Sequence, residues 1–214
     1  MQIDVVSDVV CPWCYVGLRR LEQALHMFQQ RHPHSEPPLV RWHPFQLNPD
    51  LDPQGMTRQD YVKAKFGDRA GAIYDRVKGV GVSVGIDFNF DGIARQPNTL
   101  VPHALIALAP DAEVQHRLVQ ALFDAYFIQN RDLTQNDTLA QIARDAGLPE
   151  PAIEQALGDA DLHQQIKAAD DQARAMGITG VPFFIFNGEY AVSGAQEAEH
   201  LLGALEQAAE VKDA

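Results

Sequence analysis

The chain has 214 residues, of which 46% are hydrophobic and 21% are charged, proportions typical of a folded globular protein. Its formal net charge is −12, from 29 acidic and 17 basic side chains, so we expect no binding to nucleic acid or to an anionic membrane surface. No apolar run is long enough to cross a bilayer, and residues 1–4 lead into a strand pattern rather than a signal peptide. We therefore expect a cytoplasmic protein of one domain, or of one domain with a large insertion.

Both cysteines of the chain lie in one short motif, Cys11-Pro12-Trp13-Cys14. An apolar run over residues 3–10 predicts a buried strand before the motif. Apolar side chains at helical spacing predict a helix after it: Leu18, Leu21, Leu25 and Phe28. This order of strand, turn, Cys-x-x-Cys and helix is typical of a thiol redox site in a thioredoxin-like fold.

The position of the motif predicts a role for each cysteine. A thiol at the first turn of a helix faces unpaired backbone N–H groups and the positive end of the helix dipole, which both favour the thiolate. We therefore expect Cys11 to be the exposed nucleophile and Cys14, one turn later, to resolve the mixed disulfide. Pro12 suits the first turn because its missing N–H would have had no partner there.

Two other uses of a cysteine pair fit the sequence less well. A zinc site needs further ligands, but the chain has no other cysteine and its histidines show no ligand spacing, so we expect no metal. A structural disulfide across two residues would close a very small loop and would stabilise the fold little.

The middle of the chain has a mostly helical pattern. A second strand is predicted over residues 39–45, and helices follow from residue 57 to about residue 165. Capping patterns predict helix starts at Thr57 and at Thr134, and Asn98 is the expected N-cap of another helix.

A glycine-rich segment in this region resembles a catalytic motif. Gly79 and Gly81 are expected to end the helix before them, and residues 81–85 match the serine-hydrolase pattern Gly-x-Ser-x-Gly. That motif needs a strand before it and a helix after it, and the surrounding sequence predicts neither. A glycine-rich loop is the better interpretation.

Strand patterns return near the end of the chain. Residues 180–186 form an apolar run with a proline near its start, and Asn187-Gly188 is the strongest short hairpin signal. Residues 189–193 are predicted to pair back, and residues 196–209 to form a closing amphipathic helix. Residues 212–214 are expected to fray.

These segments together carry a family resemblance. The Cys-Pro-Trp-Cys motif after a strand, with Gly180-Val181-Pro182 before a hairpin and a last helix, resembles the DsbA-type thioredoxin-like superfamily. Four further segments are similar to its FrnE-like branch of cytoplasmic dithiol oxidoreductases: residues 8–17, 44–49, 98–99 and 193–196. The resemblance covers nearly the whole chain. It implies an α/β protein with a thioredoxin-like fold and a large inserted all-helical domain.

The resemblance also implies domain bounds and a site. The thioredoxin-like domain would comprise residues 1–50 and 166–214, and the helical insertion residues 51–165. In the superfamily the proline of the Val-Pro loop is cis and lies against the active disulfide, and its neighbour presents a backbone to the substrate. Carried over, the catalytic residues are Cys11 and Cys14, and the substrate-binding residues are Pro12, Trp13, Val181 and Pro182.

The implied activity is thiol–disulfide exchange that reduces, forms or isomerises disulfides. The expected partners are disulfide-containing proteins or low-molecular-weight thiols, with glutathione as a candidate co-substrate. No cofactor is expected beyond the Cys11–Cys14 disulfide itself. The direction of electron flow, the physiological substrate and the oligomeric state are left open by the sequence.

Two polar residues are left without an assigned role. Thioredoxin-like relatives carry a buried acid six residues before the first cysteine, and Val5 occupies that position here. Asp8 is nearer the motif and either assists proton transfer or serves as a surface or capping residue. His103 either points toward the site or is an ordinary core or surface histidine.

Two other functional classes compete with the redox assignment. Kappa-class glutathione transferases and hydroxychromene-carboxylate isomerases belong to the same superfamily branch and bind glutathione without cycling a dithiol. They typically have serine where Cys11 stands and lack the second cysteine, so the intact pair favours dithiol chemistry. A non-catalytic peptide or chaperone binder would use the same groove with thiols of ordinary reactivity.

Overall fold

The structure is a computed structural model and describes residues 1–210, so the fraying predicted for residues 212–214 lies outside it. Its strands are β1 (Gln2–Ser7), β2 (Leu39–Pro44), β3 (Met56–Thr57), β4 (Arg95–Gln96), β5 (Phe183–Phe186) and β6 (Tyr190–Ser193). Its helices are α1 (Pro12–Arg31), α2 (Arg58–Phe66), α3 (Ala70–Ser83), α4 (Leu100–Ala107), α5 (Ala112–Phe127), α6 (Asn136–Asp145), α7 (Glu150–Gly158), α8 (Ala160–Ala175) and α9 (Ala198–Glu210).

The main sheet joins the two ends of the chain in the order β2-β1-β5-β6. β1 pairs with β2 in parallel and with β5 in antiparallel, and β5 forms a hairpin with β6. β1 lies inside the sheet, and its residues Ile3, Val5 and Val6 are buried. The chain between β2 and β5 is mostly helical. The predicted α/β, thioredoxin-like fold with a helical insertion is therefore confirmed.

The proposed domain bounds stay a prediction. Helix α8 runs without a break across the predicted boundary at residues 165–166, so that boundary falls inside a helix. The helix packs both on α4 and on β2, which means that it contacts the inserted helices and the main sheet alike.

The glycine-rich segment after residue 78 is helical rather than a loop. Helix α3 continues through Gly79 and Gly81 and ends at Ser83, so the predicted earlier end is wrong. Gly81 allows close packing, because a Cβ atom there would lie 2.6 Å from Cδ2 of Phe88. The strand–turn–helix context of a serine-hydrolase motif does not occur here.

Two of the predicted helix caps have different outcomes. Thr57 caps α2 as predicted, since its hydroxyl oxygen accepts a hydrogen bond from the Asp60 N–H at 3.2 Å. Thr134 is not a cap, because α6 has Gln135 at its N-cap position. The hydroxyl and N–H of Thr134 both donate to the Asp132 carboxylate instead. This local hydrogen bonding takes the place of the predicted capping bond.

The predicted cap of α4 is displaced by one residue. Thr99 is at the N-cap position and makes no side-chain cap bond. The Asn98 carboxamide oxygen accepts the Leu100 N–H at 2.9 Å, so Asn98 still satisfies one of the unpaired donors of this helix.

The C-terminal hairpin forms at the predicted turn. Asn187 and Gly188 have φ values of 51° and 73°, and positive φ at both central residues is what a two-residue type I′ turn requires. β5 begins at Phe183, later than predicted, because residues 180–182 form a loop that leads into the strand.

Among residues 1–210, no helix combines the length and the apolar composition that a membrane crossing requires.

The loop before β5 is packed tightly on α1. A Cβ atom at Gly17 would lie 2.8 Å from Cγ of Pro182 and 3.2 Å from Cζ of Phe184. Gly17 is three residues after Cys14, so the absence of a side chain lets the loop approach the helix that carries the cysteines. This contact holds residues 180–182 beside the motif.

We predict that Gly17→Ala destabilises the protein by about 1–3 kcal/mol, the usual cost of adding a methyl group to a packed core. Gly79→Ala is the matched control, because Gly79 is an exposed helical residue whose Cβ would meet no atom within 4 Å. The control should stabilise α3 by up to about 1 kcal/mol. Urea unfolding of both variants measures the difference, and equal stabilities would contradict the close packing.

Candidate active site

Cys11 lies at the N-terminus of the first helix, where the sequence predicts it. Its backbone is extended (φ −92°, ψ 110°), it is the N-cap of α1, and Pro12 opens the helix. The Cys14 N–H donates to the Cys11 carbonyl at 3.0 Å, and the Cys11 N–H donates to the Asp8 carbonyl at 3.0 Å. The first turn of α1 therefore brings the two cysteines together.

The loop before β5 comes from the other end of the chain and meets this turn. Cys11 Sγ lies 3.6 Å from the Val181 carbonyl oxygen, and the peptide bond between Val181 and Pro182 is cis. Both cysteines are free thiols, so the structure describes the dithiol form. The site thus brings together Cys11, Cys14, Val181 and Pro182 of the predicted set.

The expectation that Cys11 is exposed is wrong. Only 5% of Cys11 and 1% of Cys14 are exposed to solvent. Both belong to the main apolar core, and the half-buried side chains of Trp13 and Val181 pack against that core. The loop from the far end of the chain contributes to this burial, because its Val181 carbonyl lies 3.6 Å from the Cys11 sulfur. Pro12, at the start of the helix, is half-buried.

The surroundings of Cys14 keep it protonated. Burial raises the pKa of the Cys14 thiol well above its usual value, and the neighbouring Cys11 raises it further. The backbone of Asp8 and the side chain of Ser7 hydrogen-bond to the sulfur and lower its pKa in part. At neutral pH Cys14 is therefore a thiol and must lose a proton before it can attack another sulfur.

Asp8 and His103 form a buried pair beneath the motif. Asp8 is fully buried, and one carboxylate oxygen accepts the Leu47 N–H at 2.7 Å. The other oxygen lies 3.4 Å from Nε2 of His103, and neither atom has a hydrogen-bond partner among the described residues. A surface role for Asp8 is therefore wrong, and His103 is a core residue 4% exposed.

A polar network between α1 and α5 was missed by the sequence analysis. The Tyr15 hydroxyl bonds to the Asp124 carboxylate, and burial together with this bond raises the pKa of Tyr15 to about 12. Burial of Glu22 opposes its charge, but hydrogen bonds from His116 and Arg19 outweigh it and lower the pKa of Glu22. The signal available was the helical spacing of Tyr15, Arg19 and Glu22, which places polar groups on one face of a largely buried helix.

Within the part of the chain that the structure describes, no group of three or more histidine, cysteine, aspartate or glutamate side chains is arranged to hold a metal ion.

A dithiol at a helix N-terminus, facing the loop before β5, is the arrangement that the sequence predicts for a thioredoxin-like redox site. The profile of the DSBA-like thioredoxin domain family matches residues 2–206, and the chain belongs to this family of thiol–disulfide oxidoreductases. The predicted membership of the DsbA-type superfamily is therefore confirmed, while the narrower FrnE-like assignment stays a prediction.

Three known proteins are similar over nearly their whole length. The uncharacterized protein YwbO of Bacillus subtilis (strain 168) is 27% identical over 199 residues, which covers 91% of this chain and 90% of YwbO. The crystal structure of the probable DsbA oxidoreductase SCO1869 from Streptomyces coelicolor is 31% identical, with a TM-score of 0.84 and coverage of 97% and 89%. The cytosolic disulfide reductase DsbM from Pseudomonas aeruginosa with GSH shares the fold at 17% identity, with a TM-score of 0.62 and coverage of 100% and 98%.

We predict that the stability of the reduced protein falls as the pH rises above about 8.5, where a thiol in the unfolded chain ionises. The folded state keeps the Cys14 proton because its pKa is raised. The free energy of unfolding is therefore unaffected by Cys14 below about pH 8.5. Above that pH it falls by up to about 1.4 kcal/mol per pH unit.

Urea unfolding of the reduced protein between pH 7 and 9.5 measures this slope. Cys14→Ala should remove the contribution, and Cys11→Ala should keep most of it because burial of Cys14 is the largest cause. Identical slopes in both variants would contradict the assignment.

Proposed function

We propose that the protein is a thiol–disulfide oxidoreductase that cycles Cys11 and Cys14 between dithiol and disulfide. The observation that carries the proposal is the position of the Cys11 sulfur, at the N-cap of α1 and 3.6 Å from the Val181 carbonyl. The family membership supports it. The half-buried Val181 contacts the sulfur through its carbonyl, and Trp13 packs on the core that contains both cysteines, so we expect a substrate disulfide to displace the covering groups to reach Cys11.

The reaction proceeds through a mixed disulfide. The Cys11 thiolate attacks one sulfur of a substrate disulfide, forms a bond to it and releases the other sulfur as a thiolate. Cys14 then loses its proton and attacks the Cys11 sulfur, which releases the remaining substrate thiolate. The site ends as the Cys11–Cys14 disulfide, oxidised by two electrons, and the substrate disulfide is reduced to two thiols. The reverse sequence oxidises a substrate dithiol.

We propose that Asp8 takes up the Cys14 proton. Its backbone hydrogen-bonds to the Cys14 sulfur, and its buried carboxylate has one oxygen that receives no hydrogen bond. Nε2 of His103 lies 3.4 Å from that oxygen, without a hydrogen bond between them. The pair therefore offers a proton acceptor inside a site from which water is largely excluded.

We propose that disulfide-containing proteins or small thiols are the partners of the site. DsbM is described with GSH and as a cytosolic disulfide reductase, which supports glutathione as a co-substrate and a cytosolic setting. The alternative is glutathione-dependent transfer or isomerisation without a dithiol cycle. The presence of both cysteines argues against it, because that chemistry needs neither a second thiol nor its deprotonation.

We predict that Cys11→Ser abolishes turnover in insulin reduction, because no nucleophile remains. Cys14→Ser should instead accumulate mixed disulfides with substrate proteins or glutathione, since the captured sulfur cannot be displaced. Mass spectrometry under non-reducing conditions detects these adducts.

Full insulin-reducing activity of Cys11→Ser would reject the proposal. Glutathione transfer or isomerisation that survives alkylation of both cysteines would instead support the alternative.

We predict that Asp8→Asn slows the resolving step by about 10²-fold near pH 7, the usual contribution of a positioned base. Asparagine keeps an oxygen for the Leu47 N–H, so the fold should persist. The rate should recover as the pH rises, because hydroxide then removes the Cys14 proton. Stopped-flow kinetics with oxidised glutathione separate the two steps.

The rate of mixed-disulfide formation is the internal control for this variant. It should not change, because that step uses the Cys11 sulfur alone. An equal loss in both steps, or no recovery at high pH, would show that Asp8 has only a structural role.

A further inference from the structure

A cavity of about 430 Å³ lies beside the segment that follows β2. Its volume is within the range of small-ligand sites in proteins. Apolar side chains from α4, α6, α7 and the loop before α6 line one part of it: Leu100, Val101, Leu133, Leu139 and Leu157. Polar and charged side chains, among them Gln46, Asp50, Asp52 and Lys167, line the rest.

Gln46, a residue of the cavity lining, leaves the sheet at the same edge as the cysteines. β1 and β2 are parallel, so the residues that follow them leave the sheet at one edge. Cys11 follows β1 and Gln46 follows β2. Asp8 connects the two segments, because its carbonyl accepts the Cys11 N–H and its carboxylate accepts the Leu47 N–H.

Gln46 is the buried polar residue of the cavity wall, with 1% of its surface exposed. Its N–H donates to Asp170 at 3.1 Å, and its carbonyl accepts from Arg174 at 2.5 Å. Its side-chain Nε2 donates to Asn98 at 3.3 Å. The carboxamide oxygen receives no hydrogen bond from the described residues, so it is free to accept one from a ligand in the cavity.

The charges around the cavity favour a cation. The Asp50 carboxylate makes no ion pair within residues 1–210, and Asp52 uses one oxygen to accept the Gln54 N–H at 2.8 Å. Lys167 also lines the cavity, and the His163 ring is bonded to the Ala156 carbonyl at 2.7 Å. The lining therefore contains two carboxylates and one ammonium group, all on exposed residues, in a chain whose net charge is −12.

We propose that this cavity is a substrate subsite that takes the side chain of a lysine or arginine near the disulfide of a polypeptide substrate. The inference rests on the proposed function. The aliphatic stem packs on the leucines, as such stems do on apolar surfaces, while the charged end meets the carboxylates and donates to Gln46.

Other occupants fit the cavity less well. A purely apolar side chain would leave the Gln46 oxygen without a donor and would keep the two aspartates out of contact. The carboxylates of glutathione would be repelled by Asp50 and Asp52. Arginine and lysine satisfy both parts of the lining.

The experiment uses disulfide-linked peptides of equal length with lysine, norleucine or glutamate placed two to six residues from the cysteine on either side. The wild-type protein should reduce the best lysine peptide with a kcat/KM about tenfold above that of the norleucine peptide. Asp50→Asn/Asp52→Asn should lower this preference to about twofold, and Gln46→Leu should also lower it. Turnover of oxidised glutathione should not fall in Asp50→Asn/Asp52→Asn.

Glu154→Gln/Asp171→Asn is the matched control, because it removes the same charge from exposed positions outside the cavity lining. It should keep the lysine preference. If the wild-type protein shows no preference for the lysine peptide, the subsite is overturned. If the control lowers the preference as much as Asp50→Asn/Asp52→Asn does, the preference reflects the overall charge of the protein and the subsite is again overturned.

A binding measurement separates this inference from the proposed function. Cysteine-free lysine and norleucine peptides are titrated into the wild-type protein and the Asp50→Asn/Asp52→Asn variant. Tighter binding of the lysine peptide only to the wild-type protein, without any disulfide turnover, would reject the redox function and keep the subsite. Turnover with equal binding of both peptides would reject the subsite alone.

Discussion

The antiparallel pairing of β1 with β5 is the constraint on which the candidate site depends. Val6 pairs with Phe183, so the chain that leaves β1 toward Cys11 and the loop that enters β5 lie at the same edge of the sheet. The contact between the Cys11 sulfur and the Val181 carbonyl joins residues 170 positions apart. Gly17 completes the arrangement, because a side chain there would push Pro182 away from α1.

The two buried thiols differ in their surroundings. The helix N-terminus supplies donors and a positive dipole end at Cys11, whereas Cys14 lies deeper and its raised pKa keeps it protonated. In the proposed cycle, a buried thiol can resolve a mixed disulfide only if a proton acceptor is near. The backbone of Asp8 hydrogen-bonds to the Cys14 sulfur, and the Asp8 carboxylate lies beside His103. The same packing that hides the site from water therefore creates the need for an internal base.

The inserted helices complete the site rather than simply covering it. Helix α4 supplies His103, and α5 supplies the Asp124 carboxylate that holds Tyr15, the residue after Cys14. The segment after β2 carries both Leu47, which bonds to Asp8, and Gln46, which faces the cavity with the aspartates. The Cys11–Cys14 turn and Gln46 in the lining of the proposed cationic subsite thus lie at one edge of the sheet, and Asp8 connects their two segments.

Local chemistry allowed the sequence alone to predict the helix that begins at the cysteine motif, the Asn187-Gly188 hairpin and the arrangement of strand-rich ends around a helical middle. These features depend on residues a few positions apart, through φ preferences, capping and hydrophobic period. The tertiary structure decided that Cys11 is buried, that Asp8 meets His103 and that Gln46 faces a cavity. Burial and side-chain pairing arise when segments far apart in the chain pack together, and no local pattern specifies those contacts.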